Sequence, residues 1–279
     1  MKPNAKKQDS AARRFLYRTF VGRIVLKLLC ARIVSKAVGA FLDSGLSKPL
    51  ISRFVKKNNI NLDDFYADDF KSFNDCFSRK IKEGKREVDM NSEVLVAPCD
   101  SLLSVYEIDR SSRLHIKGCD YTVSELLCND ALAEKYSGGY ALVFRLCVNH
   151  YHRYIYFDSG KKGDNVFICG KLHTVRPIAL ETVPVFAQNC REYTVMQTQN
   201  FGDAVQIEVG ALLVGKIKNH HAAHEFLRGE EKGTFLYGGS TIVLLLEKGR
   251  VSINQEFLDA TKEDRETDVV LGQALGIAN

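Results

Sequence analysis

Two patterns of hydrophobic and polar positions divide this 279-residue chain. Residues 1–60 have polar residues ahead of apolar ones and few clusters of β-branched residues, which predicts helices. Residues 61–95 continue as mixed helix and loop. From Val94 onward, short apolar runs alternate with Gly, Asp, Asn and Pro, which is typical of short strands. The sequence therefore predicts an α+β protein in which a helical N-terminal segment precedes a strand-rich sandwich or barrel-like body.

Ten apolar runs of the body are predicted strands. They cover residues 94–96, 102–108, 140–148, 151–157, 166–175, 183–186, 192–197, 204–217, 235–237 and 242–246. One helix is expected to interrupt them at residues 122–127, because Thr122 and Glu125 have the spacing of a capping box.

The charge of the chain is concentrated at its N-terminal end. Residues 1–57 hold 14 of the 39 basic residues but only Asp9 and Asp43 of the 34 acidic ones, so the rest of the chain is acidic overall. A basic segment on an acidic body indicates an anionic partner, either nucleic acid or a membrane surface. The many Phe, Leu, Val and Ile residues between positions 15 and 42 favour anionic lipid. A basic helix packed on the acidic body without lipid remains the alternative.

Charged residues also limit how this segment can meet a membrane. No uncharged apolar run approaches 18 residues, which excludes a transmembrane span, and charges interrupt every apolar core that a signal peptide would need. We therefore expect residues 1–60 to form a basic helical membrane-associating segment. Residues 61–279 would form the catalytic domain, held peripherally on the cytoplasmic side of the cell membrane.

Neither the cysteines nor the histidines show a metal-binding spacing. The eight cysteines are scattered without a C-x-x-C pair, which favours reduced, buried thiols in a cytosolic protein. The cluster His220-His221-x-x-His224 lacks the glutamate of a zinc-protease helix and falls in a predicted loop, so we interpret it as surface. The sequence thus predicts no metal site.

Near the C-terminus, Gly238-Gly239-Ser240-Thr241-Ile242 lies between two strand-like runs, residues 233–237 and 243–246. Gly-Gly-Ser is common in ordinary turns. In this setting, however, the Ser240 hydroxyl is also placed to attack the backbone carbonyl before it. Gly239 has no Cβ, which eases both strain in the backbone and the approach of a nucleophile.

Four other segments belong with this run: residues 97–101, 149–154, 186–191 and 209–217. They supply a carboxylate in a tight turn, two histidines with an arginine, a proline-marked turn and a glycine-rich strand end. In this order and spacing, and with Gly-Ser-Thr at 239–241, the chain closely resembles the phosphatidylserine decarboxylase family. The resemblance extends from residues 77–86 to Gly249, which is most of the body.

The resemblance implies a proenzyme that cuts itself. Ser240 would attack the Gly239 carbonyl, and the resulting ester would eliminate to leave a pyruvoyl group at the new N-terminus. The products would be a large chain, 1–239, and a small chain, 240–279, associated as a heterodimer; further homo-oligomerisation stays open. The pyruvoyl group would accept electrons as phosphatidylserine loses CO2 to give phosphatidylethanolamine, with no metal or dissociable cofactor. Nucleic acid is not expected as a partner.

The resemblance also implies site residues. Asp100 matches the family's carboxylate, and an Asp–His pair would activate Ser240, because serine is a weak nucleophile at its own pKa. Many family members have His-Arg-x-His; here His152 matches the first histidine, but Ile155 occupies the second position. We predict His152 as the base, with His150 and His173 as further candidates for proton transfer. A hydrogen-bonded strand histidine remains the alternative for each.

Three other functions can be compared with the sequence. A serine hydrolase would need a glycine trailing the nucleophile, which the run at 238–242 lacks. A non-catalytic lipoyl- or biotinyl-type carrier would resemble residues 204–251, but carriers present a lysine where this chain has serine. A decarboxylase of a related serine lipid, of the archaetidylserine type, stays open.

Overall fold

A computed structural model describes residues 15, 19, 21, 22, 25, 32–109, 111, 113–116, 119–170, 185–210, 217–236 and 240–279. Within the N-terminal segment for which helices are predicted, most of residues 1–31 lies outside the described residues. From residue 32 to residue 60 the chain is mostly helical. The helices of the described residues are α1 Arg32–Asp43, α2 Pro49–Asn58, α3 Phe73–Phe77, α4 Val123–Leu127, α5 Asp130–Glu134, α6 Val185–Gln188 and α7 Gln255–Lys262, with a 3₁₀ turn at Gly45–Ser47. Within these ranges, no helix has both the length and the apolarity to cross a bilayer.

The first helices pack on α3. Leu42, Phe73 and Phe77 form a small buried cluster, and the ring of Phe54 lies 4.9 Å from that of Phe73 between centroids. The buried Ser47 hydroxyl accepts a 2.8 Å hydrogen bond from the Phe73 amide. This contact ties the turn between α1 and α2 to the start of α3, which leads into the body.

Seventeen strands account for more of the described residues than the helices do, as the sequence predicts for an α+β protein with a strand-rich body. They are β1 Val94–Val96, β2 Ser101–Glu107, β3 Arg113–Ile116, β4 Cys119–Thr122, β5 Tyr140–Leu146, β6 Arg153–Ile155, β7 Gly160–Lys162, β8 Val166–Ile168, β9 Arg191–Thr198, β10 Asp203–Gly210, β11 Ile217–Asn219, β12 His224–Phe226, β13 Glu231–Phe235, β14 Ser240–Leu246, β15 Val251–Ile253, β16 Thr267–Val269 and β17 Ala274–Ala278.

An antiparallel sheet of nine described strands forms the centre. Its order is β12-β7-β9-β10-β14-β5-β2-β16, and β8 pairs with β9 beside this path. Two three-stranded sheets, β1-β17-β15 and β11-β13-β6, and the hairpin β3-β4 complete the body. Among the described strands the large sheet stays open, with β12 and β16 at its ends, so the architecture is layered rather than a closed barrel.

Both faces of the large sheet are buried, which explains why β14 is apolar throughout. Val243 and Leu245 face the cluster that includes α4 and α6, whereas Ile242, Leu244 and Leu246 face the cluster that includes the two small sheets. Side chains alternate along a strand. A strand covered on both sides therefore reads as a continuous hydrophobic run.

A buried ion pair joins one small sheet to the large one. Lys232 on β13 donates to the Glu208 carboxylate on β10 at 2.6 Å, and both side chains are fully buried. The Lys232 ammonium also donates to the side-chain oxygen of Asn219 at 2.9 Å, and the Tyr154 hydroxyl donates to that same oxygen at 3.1 Å. The position of β13 over the sheet is thus fixed by polar as well as apolar contacts.

Several local predictions can be compared with these elements. The capping box is confirmed: the Thr122 hydroxyl accepts from the Glu125 amide, and the Glu125 carboxylate accepts from the Thr122 amide, each at 3.0 Å. The strand predicted at 183–186 is wrong where described, since Val185–Gln188 is helical. Short apolar runs do not distinguish a strand from a buried helical turn. Among the cysteines, Cys128 and Cys169 are exposed rather than buried.

Candidate active site

Four neighbouring strands of the large sheet, β10, β14, β5 and β2, begin or end side by side, and this row of strand ends is the sheet edge that carries the candidate site. Ser240, the first residue of β14, pairs with Gly210 at the end of β10 and with Leu146 at the end of β5. The ladder between β5 and β2 pairs residues 145 and 102, so its register carries Ser101, the first residue of β2, to a place beside Leu146. Asp100 and the segment after β5 therefore lie at the same edge as Ser240.

Ser240 is fully buried, and its hydroxyl has no hydrogen-bond partner among the described residues. Strand alternation places its side chain on the same face as Ile242. That face is covered by the small sheet β11-β13-β6, and β6 begins directly after His152. An unpaired buried hydroxyl costs roughly 1–3 kcal/mol, so this one calls for an explanation. Gly239 lies outside the described residues.

The imidazole of His152 is also fully buried. Its Nδ1 lies 3.0 Å from the carbonyl oxygen of His150, its ring packs 3.9 Å from that of Phe77, and its Nε2 has no partner among the described residues. A neutral ring that donates from Nδ1 leaves a free lone pair on Nε2. Burial, assisted by the positive charge of Arg79, holds the pKa of His152 well below its ordinary value. This ring is therefore neutral at pH 7 and able to accept a proton.

In His150 the two ring nitrogens have the opposite hydrogen-bonding roles to those in His152. Its Nδ1 accepts a 3.1 Å hydrogen bond from the Cys147 amide, directly after Leu146, so a neutral ring carries its proton on Nε2. That Nε2 lies 3.9 Å from the Asp268 carboxylate. Burial lowers the pKa of His150, while Asp100 and Asp268 oppose the shift. His150 is thus suited to donate a proton, whereas His152 is suited to accept one.

Asp100 is held by an arginine rather than by a histidine. The Nε and a terminal nitrogen of Arg86 donate to its two carboxylate oxygens at 2.9 and 2.7 Å, and the Leu271 amide donates to Oδ1 at 2.8 Å. The hydrogen bond to Asp100 raises the pKa of Arg86. No hydrogen bond joins Asp100 to His150 or His152, and its effect on His150 is electrostatic. Asp100 thus acts on His150 through its charge, and the predicted pairing of Asp100 with His152 is not hydrogen-bonded in this state.

A glycine makes this arrangement of Asp100 possible. Gly272, next to Leu271, has a φ of +85°, and a Cβ there would lie 2.2 Å from the carbonyl oxygen of Glu87. Glycine is the residue that tolerates both the left-handed backbone and the close approach. It allows the segment that contains Leu271 to pack closely against the segment that contains Arg86, and both residues hydrogen-bond to the Asp100 carboxylate.

The sequence alone does not show that Arg79 is part of the site. It is almost fully buried, and one terminal nitrogen donates to the carbonyl oxygens of Asn149 and His150 at 2.9 and 3.2 Å. Its guanidinium lies 4.4 Å from the centroid of the Phe65 ring. Arg79 thereby fixes the turn that carries both histidines. The run of basic residues around it hides this role, because composition alone does not show which arginine is buried.

A cleft of about 320 Å³ opens beside Arg79, and its walls carry both signs of charge. Its lining residues are Tyr66, Asp68, Asp69, Phe70, Asp75, Ser78, Arg79, Lys80 and Arg153.

Ile155 occupies the position at which many family members have a second histidine. This side chain is buried in an apolar cluster with Phe65, Tyr151 and Leu271. His173, the third histidine candidate, lies outside the described residues. His150 and His152 are therefore the two predicted histidines that the structure describes at the sheet edge.

Comparison with known proteins shows the family of the chain. A family model described as phosphatidylserine decarboxylase matches residues 73–277. The phosphatidylserine decarboxylase proenzyme 2 of Clostridium acetobutylicum is 42% identical, over 98% of this chain and 94% of the relative. The phosphatidylserine decarboxylase proenzyme of Ruminiclostridium cellulolyticum is 43% identical, over 94% and 89%. The chain therefore belongs to the phosphatidylserine decarboxylase family.

Proposed function

We propose that this chain is a self-processing, pyruvoyl-dependent carboxy-lyase that converts phosphatidylserine to phosphatidylethanolamine and CO2. The observation that carries the proposal is that a hydroxyl nucleophile, Ser240, and an imidazole base, His152 Nε2, are both buried and, among the described residues, unpaired at one sheet edge. A stable fold seldom leaves such groups unpaired, whereas a nucleophile and its base need free lone pairs. Family membership supports the same chemistry.

Processing begins with Ser240 in this proposal. His152 Nε2 takes the hydroxyl proton, Ser240 Oγ bonds to the Gly239 carbonyl carbon, and the bond from that carbon to the Ser240 nitrogen breaks. The amine that leaves takes up a proton, so an ester replaces the amide. Loss of the Ser240 α-proton and cleavage of its Cβ–Oγ bond then release the Gly239 carboxylate and leave a dehydroalanine. Its imine tautomer takes up water and releases ammonia to give the pyruvoyl group. The buried position of Ser240 suits these steps because water would otherwise compete for the ester.

The pyruvoyl group supplies an electron sink for the carbanion left by CO2. The surrounding residues hold the substrate and move protons. His150, with its proton on Nε2, is placed to protonate the substrate carbon, while Arg79 keeps both histidines in position. The mixed charge of the cleft matches a serine headgroup, which carries phosphate, ammonium and carboxylate together.

Membrane association is part of the proposal. The basic, apolar segment within residues 1–60 would lie on anionic lipid at the cytoplasmic face of the membrane and bring the catalytic domain, 61–279, to its lipid substrate. A lipid headgroup is reached more readily by a protein already bound at the interface.

Intact-mass measurement of the purified chain tests the processing step. We expect fragments 1–239 and 240–279, the smaller with a blocked N-terminus, and phosphatidylethanolamine from phosphatidylserine vesicles. Ser240→Ala should stay uncleaved and inactive. Ser104→Ala, which makes the same change at another buried serine of the large sheet, should be cleaved normally. An active preparation consisting of a single full-length chain would overturn the proposal.

A further inference from the structure

Three potential metal ligands converge away from the candidate active site. His221 lies in the turn between β11 and β12, His224 begins β12, and Glu230 directly precedes β13. Glu230 Oε1 lies 2.8 Å from Nε2 of His224 and 3.7 Å from Nε2 of His221. One donor atom from each of the three residues falls within 4.8 Å of the others. Donors that bind one ion at about 2.0–2.2 Å lie no more than about 4.4 Å apart, so small movements of these side chains bring all three around a single ion.

Surrounding contacts position these residues. The two imidazoles stack at 3.8 Å between centroids with an interplanar angle of 15°. Because imidazole lone pairs lie in the ring planes, one ring turns when both residues bind the same ion. The second carboxylate oxygen of Glu230 accepts a 3.0 Å hydrogen bond from the Leu227 amide, and the His221 carbonyl oxygen accepts one of 2.9 Å from the Asn165 side chain. These hydrogen bonds keep the Glu230 carboxylate and the His221 backbone near each other while a ring turns.

The second ring nitrogen of His221 has no hydrogen-bond partner in the part of the chain that the structure describes. His221 Nδ1 is buried and unpaired among the described residues, so no hydrogen bond from this nitrogen opposes a turn of the ring, and the side chain as a whole is 31% exposed. His224 and Glu230 are exposed to a similar degree, so an ion can reach them from solvent. Two imidazoles and one carboxylate suit zinc, whereas magnesium and calcium prefer oxygen ligands alone.

We propose that His221, His224 and Glu230 form a zinc site with a fourth position open to water. On binding, the ion displaces the proton shared between His224 Nε2 and Glu230, and that proton passes to solvent. The site ties β12 to the turn before β13. Because β13 runs toward Ser240, zinc would stabilise the layer that covers the candidate active site without touching the reacting groups. The proposal departs from the sequence-based interpretation of His221 and His224 as surface residues.

The chain offers a matched control in His220. Its Nε2 lies 2.6 Å from the Glu231 carboxylate, so it belongs to the same histidine run but not to the three-residue set. His220→Ala removes an imidazole one residue away from the proposed ligands. His224→Ala and Glu230→Gln each remove one ligand from different parts of the chain, so a folding defect in one variant does not decide the result.

Zinc is titrated into the chelator-treated full-length protein against a competing chromophoric chelator. We expect one zinc per chain for the wild type and His220→Ala, and affinity lower by more than about 100-fold for His224→Ala and Glu230→Gln. Zinc should also raise the melting temperature of the wild type and of His220→Ala, but not of the two ligand variants. The proposal fails if the wild type binds no stoichiometric zinc, or if both ligand variants bind it as tightly as the wild type.

Discussion

The amide of Phe235 donates a 2.9 Å hydrogen bond to the carbonyl oxygen of His152. Phe235 ends β13, and Ser240 begins β14 only five positions later, so this bond fastens the proposed base to the strand that leads into the proposed cleavage run. The Thr234 hydroxyl donates to the same carbonyl at 3.2 Å. His152 and Ser240, 88 positions apart in sequence, are thus connected through a short stretch of backbone.

His152 is predicted to be needed for self-cleavage more strictly than His150. His152→Ala should leave the chain uncleaved, because the free Nε2 lone pair is lost. His150→Ala should cut at a reduced rate but lose decarboxylation, because its Nε2 proton serves the later step. Gel analysis over time measures cleavage, and lipid mass spectrometry measures the product of whatever fraction matures.

Normal cleavage of His152→Ala together with failure of His150→Ala would reverse the two assignments. Normal cleavage of both variants would move the base to a residue outside this pair.

Acid should weaken the fold through His152. Its pKa in the folded protein lies well below the ordinary 6.5 because of burial, so below about pH 6.5 the unfolded chain binds the proton first. The unfolding free energy therefore falls as the pH drops from 6.5 toward the folded pKa, by up to about 1.4 kcal/mol per pH unit. Urea unfolding at several pH values, in an uncleaved Ser240→Ala background, measures the slope.

The comparison is with His152→Asn, which keeps a donor toward the His150 carbonyl but does not titrate. Its unfolding free energy should depend less on pH over the same window. Equal slopes for the two proteins would show that His152 is not protonated during acid unfolding.

Removing the hydrogen bonds from Arg86 to Asp100 should destabilise the protein. Arg86→Gln leaves the nearly buried carboxylate with the Leu271 amide as its remaining described donor, at a cost of about 2 kcal/mol in unfolding free energy. Arg265→Gln is the control, since that arginine pairs with Glu263 on the surface and should cost less than about 0.5 kcal/mol. Chemical denaturation measures both variants, and similar values for the two would contradict the prediction.

The buried pair of Lys232 and Glu208 allows a test by double substitution. Lys232→Met alone should cost about 3–5 kcal/mol, because it leaves a carboxylate buried without its cation. Adding Glu208→Gln removes that charge and should recover part of the loss. Thermal unfolding of Lys232→Met, Glu208→Gln and the double variant measures the coupling, and strictly additive effects would mean that the pair is not coupled.

What the sequence predicts well here is local. Thr122 and Glu125 are three positions apart, so their capping box follows from spacing alone. The apolar run of β14 likewise marks a strand buried on both faces. The resemblance to the family assigns Asp100 to the site. The sequence does not predict that Arg86 pairs with it, because a contact between distant parts of the chain leaves no periodic signal in one sequence. The same holds for Glu230 and His221, which meet only once β12 and β13 have formed.

The central place of β14 has a consequence for the two fragments. Each of its seven residues pairs with β10 on one side and with β5 on the other, while β16 and β17 of the same fragment pair with β2 and β1. If the chain is cut before Ser240, fragment 240–279 is interleaved with the larger one and cannot leave without dismantling the sheet. The fragments should co-elute in native size-exclusion chromatography and separate only in denaturant. Cutting the covalent chain would thus create a new terminus in the interior while leaving the molecule in one piece.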